Sequence, residues 1–316
     1  FLVAYFGAVM RIVIGLPALH DARGHYQISG NRQGQIFAHE AYIFPPILAS
    51  AATMLRRDGH QVLWLDGEAE NLTWSAYLKC LREFGADLVA WEVKTLSVHP
   101  TWERINSLKQ ELPQCKIVLF GDHVSALPEE SCEQSEVDIE ATGGDYDYTL
   151  REIVAHIESS RDCERIWKGS TNHDLTTLPV IDRALTKWWL YSRHGSGNYR
   201  RAYATHTMWA RDCWFRHDGG CTFCSWTNKN FFPNFRSVSV QQAMTEIESC
   251  AAAGITECFD DSGTLRIGPW MHDLCDALRR FNGGKRGNSA PMMVGCNMRP
   301  GAISREEYQL LGASGF

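Results

Sequence analysis

Two successive α/β units are what this sequence predicts: a doubly wound parallel sheet, then the opening units of a second β/α array. Three observations carry that expectation. Short β-branched runs alternate with helical periodicities from Arg11 to about Ser159; a loop-rich stretch over 160–202 breaks the rhythm; and the alternation resumes at 203 and continues to 316. Strands separated by helices imply parallel pairing through crossover connections, because antiparallel neighbours need only a turn. A length of 316 residues suits about two domains at ~150 residues each.

In the first unit, Ile12 to Leu16 reads as a buried strand. Pro45 and Pro46 open a helix whose Ile47, Leu48, Ala51, Ala52 and Leu55 share a face, and Gly59 ends it. Gln61 to Leu65 is the second strand, and Leu72 to Phe84 a helix turning Trp74, Tyr77, Leu78 and Leu81 inward. Asp87 to Val93 is the third strand. The helix from Pro100 to Leu112 carries Trp102, Ile105 and Leu108 and stops at Pro113. Lys116 to Phe120 is the fourth strand and Val137 to Ala141 a short fifth, followed by a helix over Thr149 to Ile157. A five-stranded doubly wound sheet binds ligands at the carboxyl ends of its strands. The loops there are GLPALHDARGH, KTLSVHP, FGDHVSALPEE and TGGDYDY.

The connector contains LPVID, RHGSGNYRR and the pair Trp188–Trp189, so part of it is expected to dock. Beyond it come a strand over Tyr203 to Trp209, a helix over Val240 to Ala253 and a strand over Ile255 to Phe259. A helix over Trp270 to Phe281 and a strand over Met292 to Asn297 follow. A last helix over Ser304 to Leu311 has Ser304 as N-cap and Glu307 completing a capping box.

Composition narrows the function. Apolar residues at 44% and charged residues at 22% are ordinary for a soluble globular chain. A formal net charge of −6 with no long basic run argues against nucleic acid or an anionic membrane as partner. The opening FLVAYFGAVM is apolar but is followed by Arg11 and shows no cleavage site, so neither a signal peptide nor a transmembrane segment is expected; Met10 is a candidate start. The chain stops just after a helix-like stretch, as a truncated protein would. Eleven cysteines, an odd and mostly scattered set, suit a reducing cytoplasm rather than a disulfide framework.

Cys213, Cys221 and Cys224 alone cluster, in MWARDCWFRHDGGCTFCSW. They follow the first strand of the second unit, at the end where barrel active sites are built. Two thiols separated by two residues can face one metal centre. The third closes three positions, and no fourth thiol or His has matching spacing, which leaves the open position that a catalytic metal needs. Gly219 and Gly220 let the loop wrap, and Arg211 and Arg216 are expected to stabilise thiolates. A structural zinc loop is the competing reading.

The loop RDCWFRHDGGCTFCS resembles the cluster loop of the cobalamin-binding radical S-adenosylmethionine (SAM) family, with Phe223 before the last cysteine and Ser225 after it. KIVLFGDHVSALPEE and TGGDYDYTLREIV resemble that family's cobalamin domain, and LPVID and FDDSGTL also fit. The resemblance implies a flavodoxin/Rossmann-like cobalamin-binding domain over 11–159, a linker over 160–202 and the N-terminal half of a radical SAM (β/α) barrel over 203–316. It implies a [4Fe–4S] cluster on Cys213, Cys221 and Cys224, and SAM beside Phe223, Asp260, Asp261 and Ser262. A cobalamin tail would lie along Gly121, Ser125, Gly143 and Gly144. The implied reaction is reductive SAM cleavage followed by methyl transfer or ring formation at an unactivated carbon of a small-molecule, lipid, tetrapyrrole or peptide substrate. Electrons would come from a flavodoxin or ferredoxin, and the cofactors carry the chemistry. Three departures stand against it. Seven residues, rather than three, separate the first two cysteines. D-x-H-x-x-G is absent around His20, so neither His20 nor His123 is expected to ligate cobalt. Only about half of a barrel is present. Two alternatives remain: a radical SAM enzyme without functional cobalamin, and a non-enzymatic flavodoxin-like module with a structural zinc loop.

Overall fold

The computed structural model describes residues 9–28, 34–159, 162–192, 199–218, 220–224, 234–284 and 291–316. The chain divides into two compact units, the first running essentially to His173 and the second from Asp174, with Ala41–Pro46 grouped with the second.

The first unit contains β1 (Arg11–Gly15), a hairpin of β2 (His25–Ile28) and β3 (Gly34–Phe37), α1 (Pro46–Arg57), β4 (Gln61–Trp64), α2 (Trp74–Phe84), β5 (Leu88–Glu92) and α3 (Val98–Glu111). It continues through β6 (Lys116–Phe120), α4 (Asp122–Ala126), α5 (Glu130–Gln134), β7 (Ile139–Thr142), α6 (Tyr146–Glu158) and β8 (Ile166–Lys168). Six strands form one parallel sheet in the order β4-β1-β5-β6-β7-β8. The chain passes from β1 to β4 on one side and then to β5 on the other, so the topological switch lies at β1, where such sheets bind ligands.

These elements form for local reasons. Ile12, Val13 and Ile14 are fully buried, as a strand covered on both faces requires. Helix α2 starts where Thr73 Oγ1 accepts the Ala76 N–H, and ends at Gly85, which takes the left-handed conformation at φ 67°. On one sheet face Tyr77, Leu81, Trp91, Trp102, Ile105, Ile117 and Leu119 pack into a single core. The Trp91 indole donates to Tyr77 Oη at 2.9 Å, so the polar edges of two buried aromatics satisfy each other. The sixth strand, β8, lies in the stretch read from sequence as connector, and the β2–β3 hairpin was not expected.

The second unit contains α7 (Trp189–Ser192), β9 (Ala204–Thr207), β10 (Ala210–Arg211), β11 (Arg236–Ser237), α8 (Val240–Ala252), β12 (Glu257–Asp260), α9 (Pro269–Gly283), β13 (Met293–Cys296) and α10 (Arg305–Ser314). Strands β9, β12 and β13 form a parallel sheet with β12 central, and Thr207, Asp260 and Cys296 stand level at its carboxyl end. Both Ser304–Glu307 and Ser239–Gln242 form capping boxes. Three strands do not close a barrel, so the half-barrel expected from sequence appears here as a small open parallel sheet. Among the described residues no helix is long and apolar enough to cross a membrane.

Candidate active site

The three cysteines lie on one loop leaving β9, and its local conformation explains the seven-residue spacing. A turn of 3-10 helix occupies Trp214–Asp218. It opens with the Arg216 N–H on Cys213 O, and the Gly220 N–H then returns to Phe215 O. Gly220 takes φ 65°, open to glycine, and reverses the chain into Cys221. The Cys224 N–H donates to Cys221 O at 3.1 Å, closing the two-residue step into a turn. The additional residues are therefore coiled up locally.

All three strand ends hold this loop. Beside β9, Asp212 is buried at the left-handed φ of 72°, unusual for a residue with a Cβ, and its Oδ1 accepts the Cys213 N–H at 2.7 Å. From the loop after β12, Leu265 O accepts the Trp214 indole N–H at 2.8 Å. After β13, the Arg299 guanidinium lies 3.7 Å from the Phe215 ring centroid, a cation–π contact. Trp214 also lines an open groove of about 330 Å³ with Phe235, Ser237, Arg266 and Ile267.

Asp260, Asp261 and Ser262 are buried at the end of β12. Asp260 Oδ1 accepts from Trp209 N at 3.1 Å and Ser262 Oγ at 2.7 Å, and Ser262 Oγ accepts from Ala210 N at 2.9 Å. This pair therefore pins the backbone from which the cysteine loop departs. Burial pushes the Asp260 carboxyl up to about 6, against the lowering effect of the Ser262 and Trp209 hydrogen bonds. Level with it, burial and then the Asp260 charge push the Cys296 thiol up to about 12.

The electrostatics of Cys213 differ from the sequence expectation of a stabilised thiolate. Burial raises the Cys213 pKa, and the nearby Asp212, Cys224 and Cys221 add to the rise. The three sulfurs thus share one electrostatic neighbourhood. The Arg216 guanidinium pairs with Asp212 Oδ2 at 2.9 Å. Without a metal, Cys213 is held as a neutral thiol, and a bound cation would have to displace its proton. Three half-buried thiols on one loop are a donor set of the kind that either an iron–sulfur cluster or a zinc ion takes. Cys250, Cys258 and Cys275 are buried core residues.

Phe223 is 90% exposed, so its ring is not packed into the core formed by the described residues. In the first unit, Gly121 follows β6 at φ 132°, and a Cβ there would collide with Val93 O, so close backbone approach requires glycine. Ser125 Oγ donates to Gly143 O at 3.1 Å and accepts Gly143 N–H at 3.0 Å, bringing the loops after β6 and β7 together; Gly144 is buried beside them. Nearby, buried Lys94 pairs with Glu92 at 2.8 Å and Asp122 at 3.3 Å.

Three residues of this framework escaped sequence reading. Arg183, in the connector, is fully desolvated. It donates to Thr205 Oγ1 and His206 O, pairs with Glu246 and lies over Phe44 at 4.6 Å. His206, buried in β9 against Tyr199 and Phe259, is held neutral, its pKa lowered to about 3 by burial and then by Arg183. Asp212 is the third. The pair Trp188–Trp189 and the LPVID stretch hinted at an anchored connector, His206 stood out only as a donor near the cysteines without ligand spacing, and nothing marked Asp212.

No family model matches the chain. The chain is 28% identical over 123 residues to an uncharacterized methyltransferase of Pyrococcus horikoshii, an alignment covering 39% of this chain and 27% of the relative. It therefore spans about a quarter of that protein's length, and what it shares is a distant similarity to a methyltransferase.

Proposed function

We propose that this chain is part of a cobalamin-dependent radical SAM methyltransferase. The observation that carries the reading is the loop of Cys213, Cys221 and Cys224 at the carboxyl end of a parallel sheet, with three thiols and no fourth ligand of matching spacing. The distant methyltransferase similarity supports the class of reaction. On this reading β9, β12 and β13 are the first strands of a barrel. When bound, a [4Fe–4S] cluster, SAM and cobalamin would supply reductive SAM cleavage and methyl transfer to an unactivated carbon.

The residues of the chain do the positioning. Asp212 orients the Cys213 backbone, and Trp214 and Phe215 fasten the loop to the ends of the neighbouring strands. Asp260 and Ser262 fix the exit of β9. SAM itself would lie beside Asp261 and the exposed Phe223. At the other unit the Ser125–Gly143 pair and Gly144 line the cobalamin position at the carboxyl edge.

Anaerobic reconstitution tests this. A brown protein with about four irons per chain is expected, its colour abolished by Cys221→Ala or Cys224→Ala. A colourless protein holding zinc under the same conditions would move the loop to the structural zinc reading. A coloured protein that binds no cobalamin would leave a radical SAM enzyme without it.

A further inference from the structure

A second group of donors belongs to the first unit, at the carboxyl edge of its sheet beside the switch point. His20 is in the loop after β1, His25 opens β2, and Glu68 is in the loop after β4. One donor atom from each lies within 4.8 Å of the others. His20 Nδ1 is 3.5 Å from Glu68 Oε1, and His25 Nδ1 is 3.8 Å from Glu68 Oε2.

These separations suit coordination better than direct hydrogen bonding. An ion pair between imidazolium and carboxylate would close to about 2.7–2.9 Å. Instead His20 Nδ1 is buried and makes no hydrogen bond. Metal–ligand bonds of about 2.0–2.2 Å at tetrahedral angles set ligand atoms roughly 3.3–3.6 Å apart; His25 Nδ1 is 3.8 Å from Glu68 Oε2, and the donor atoms of all three residues lie within 4.8 Å of one another.

The carboxylate is fixed in advance. Glu68 is 1% exposed, although nothing apolar about it favours burial. Its Oε1 accepts the N–H groups of Leu19 at 2.6 Å and His20 at 2.7 Å. Oε2 takes the N–H of Tyr26 at 2.9 Å, which leaves it a lone pair for a cation. Behind it, Asp66 Oδ1 accepts from Glu68 N and Ala69 N. The two loops are clamped, since the Gly67 N–H donates to Leu16 O and a side chain at Gly67 would run into Ala18. Outer contacts of this kind are what hold first ligands of metal sites in place.

We propose that His20, His25 and Glu68 bind one divalent cation of the zinc class, with the fourth position left to water or a ligand at the sheet edge. Two imidazoles, one carboxylate and an open position form a donor set that suits such ions. The site is independent of the cysteine loop and of the cobalamin reading.

The test is a titration of the full metal-free chain, carrying Cys213→Ala, Cys221→Ala and Cys224→Ala, with Co²⁺ and then Zn²⁺. One equivalent of Co²⁺ is expected, giving tetrahedral d–d absorption without a thiolate charge-transfer band, and Zn²⁺ should displace it. His20→Ala and His25→Ala should each weaken binding at least about tenfold. Glu68 also holds loop backbone, so the histidine variants decide the matter. If the triple variant fails to fold, the unsubstituted chain with alkylated thiols gives the same readout. Absence of the d–d spectrum, or a spectrum and affinity unchanged in both histidine variants, overturns the site.

Discussion

Replacing Asp260 with Asn should remove a defined part of the protein's pH dependence. Asp260 is 2% exposed, and burial pushes its carboxyl from 3.8 up to about 6. A rise of about two pKa units corresponds to about 3 kcal/mol at about 1.4 kcal/mol per unit. The group is an acid whose pKa is higher in the folded state. Between pH 4 and 6 the folded chain therefore binds more protons than the unfolded chain, and stability falls as pH rises. The loss is complete just above pH 6 and flat beyond. Asn keeps an acceptor for the Trp209 N–H but does not titrate. Urea unfolding of wild type and D260N at pH steps from 4 to 7.5, followed by the second unit's tryptophans, gives the difference directly. Other carboxylates titrate alike in both chains and cancel. The variant should gain about 3 kcal/mol on wild type across the window. Parallel stability curves would refute the reasoning, because they would mean that Asp260 ionises as freely in the folded chain as in the unfolded one.

Glu140 gives the same sign in the first unit: it is fully buried in β7, and burial pushes it up to about 7 against the lowering effect of hydrogen bonds from the Cys132 thiol and backbone. Glu140→Gln should therefore be more stable than wild type by about 3 kcal/mol at pH 8 and indistinguishable near pH 4, by thermal or urea unfolding. Trp91→Ala deletes a fully buried ring and strands the Tyr77 hydroxyl, so chemical denaturation should show a loss of about 3–5 kcal/mol. Because Cys213 is held neutral by burial, metal uptake by the cysteine loop should release protons and weaken as pH falls, a dependence that calorimetry in buffers of different ionisation heat reads directly. If the first unit binds cobalamin, electron paramagnetic resonance of its cob(II)alamin should show no histidine nitrogen; a splitting that disappears in His20→Ala would contradict this.

The strands that were legible in the sequence are the ones buried on both faces. Ile12–Ile14 and Leu88–Trp91 are uninterrupted apolar runs, because both faces of the sheet are covered by helices. Strand β8 escaped because Ile166–Lys168 is an edge strand of three residues, two half-buried and one exposed, too short to show a period. The β2–β3 hairpin escaped for the same reason, with four residues per arm. At the candidate site, the thiols were legible because cysteines cluster in sequence. Their surroundings were not. Arg216 was expected to face the thiolates; the pairing of its guanidinium with Asp212, four residues before it on the same turn, carried no sequence signal. The roles of Asp260 and Ser262 in fixing β9, and the convergence of His20, His25 and Glu68, depend on strand register, which no local spacing encodes.

The fastening of the cysteine loop also sets an order in time. The groups that hold it sit far along the chain: Trp209 to Asp260 spans 51 residues, Ala210 to Ser262 52 and Trp214 to Leu265 51. Synthesis at about 5–20 residues per second places about 3–10 s between the appearance of the loop and that of its fasteners. Closing a loop of that length must precede any gain from the contacts it makes. For those seconds the three thiols are tethered only to one another, within reach of oxidants and of whichever thiophilic ion arrives first. The completed sheet end is therefore what turns three cysteines on an open chain into one fixed arrangement.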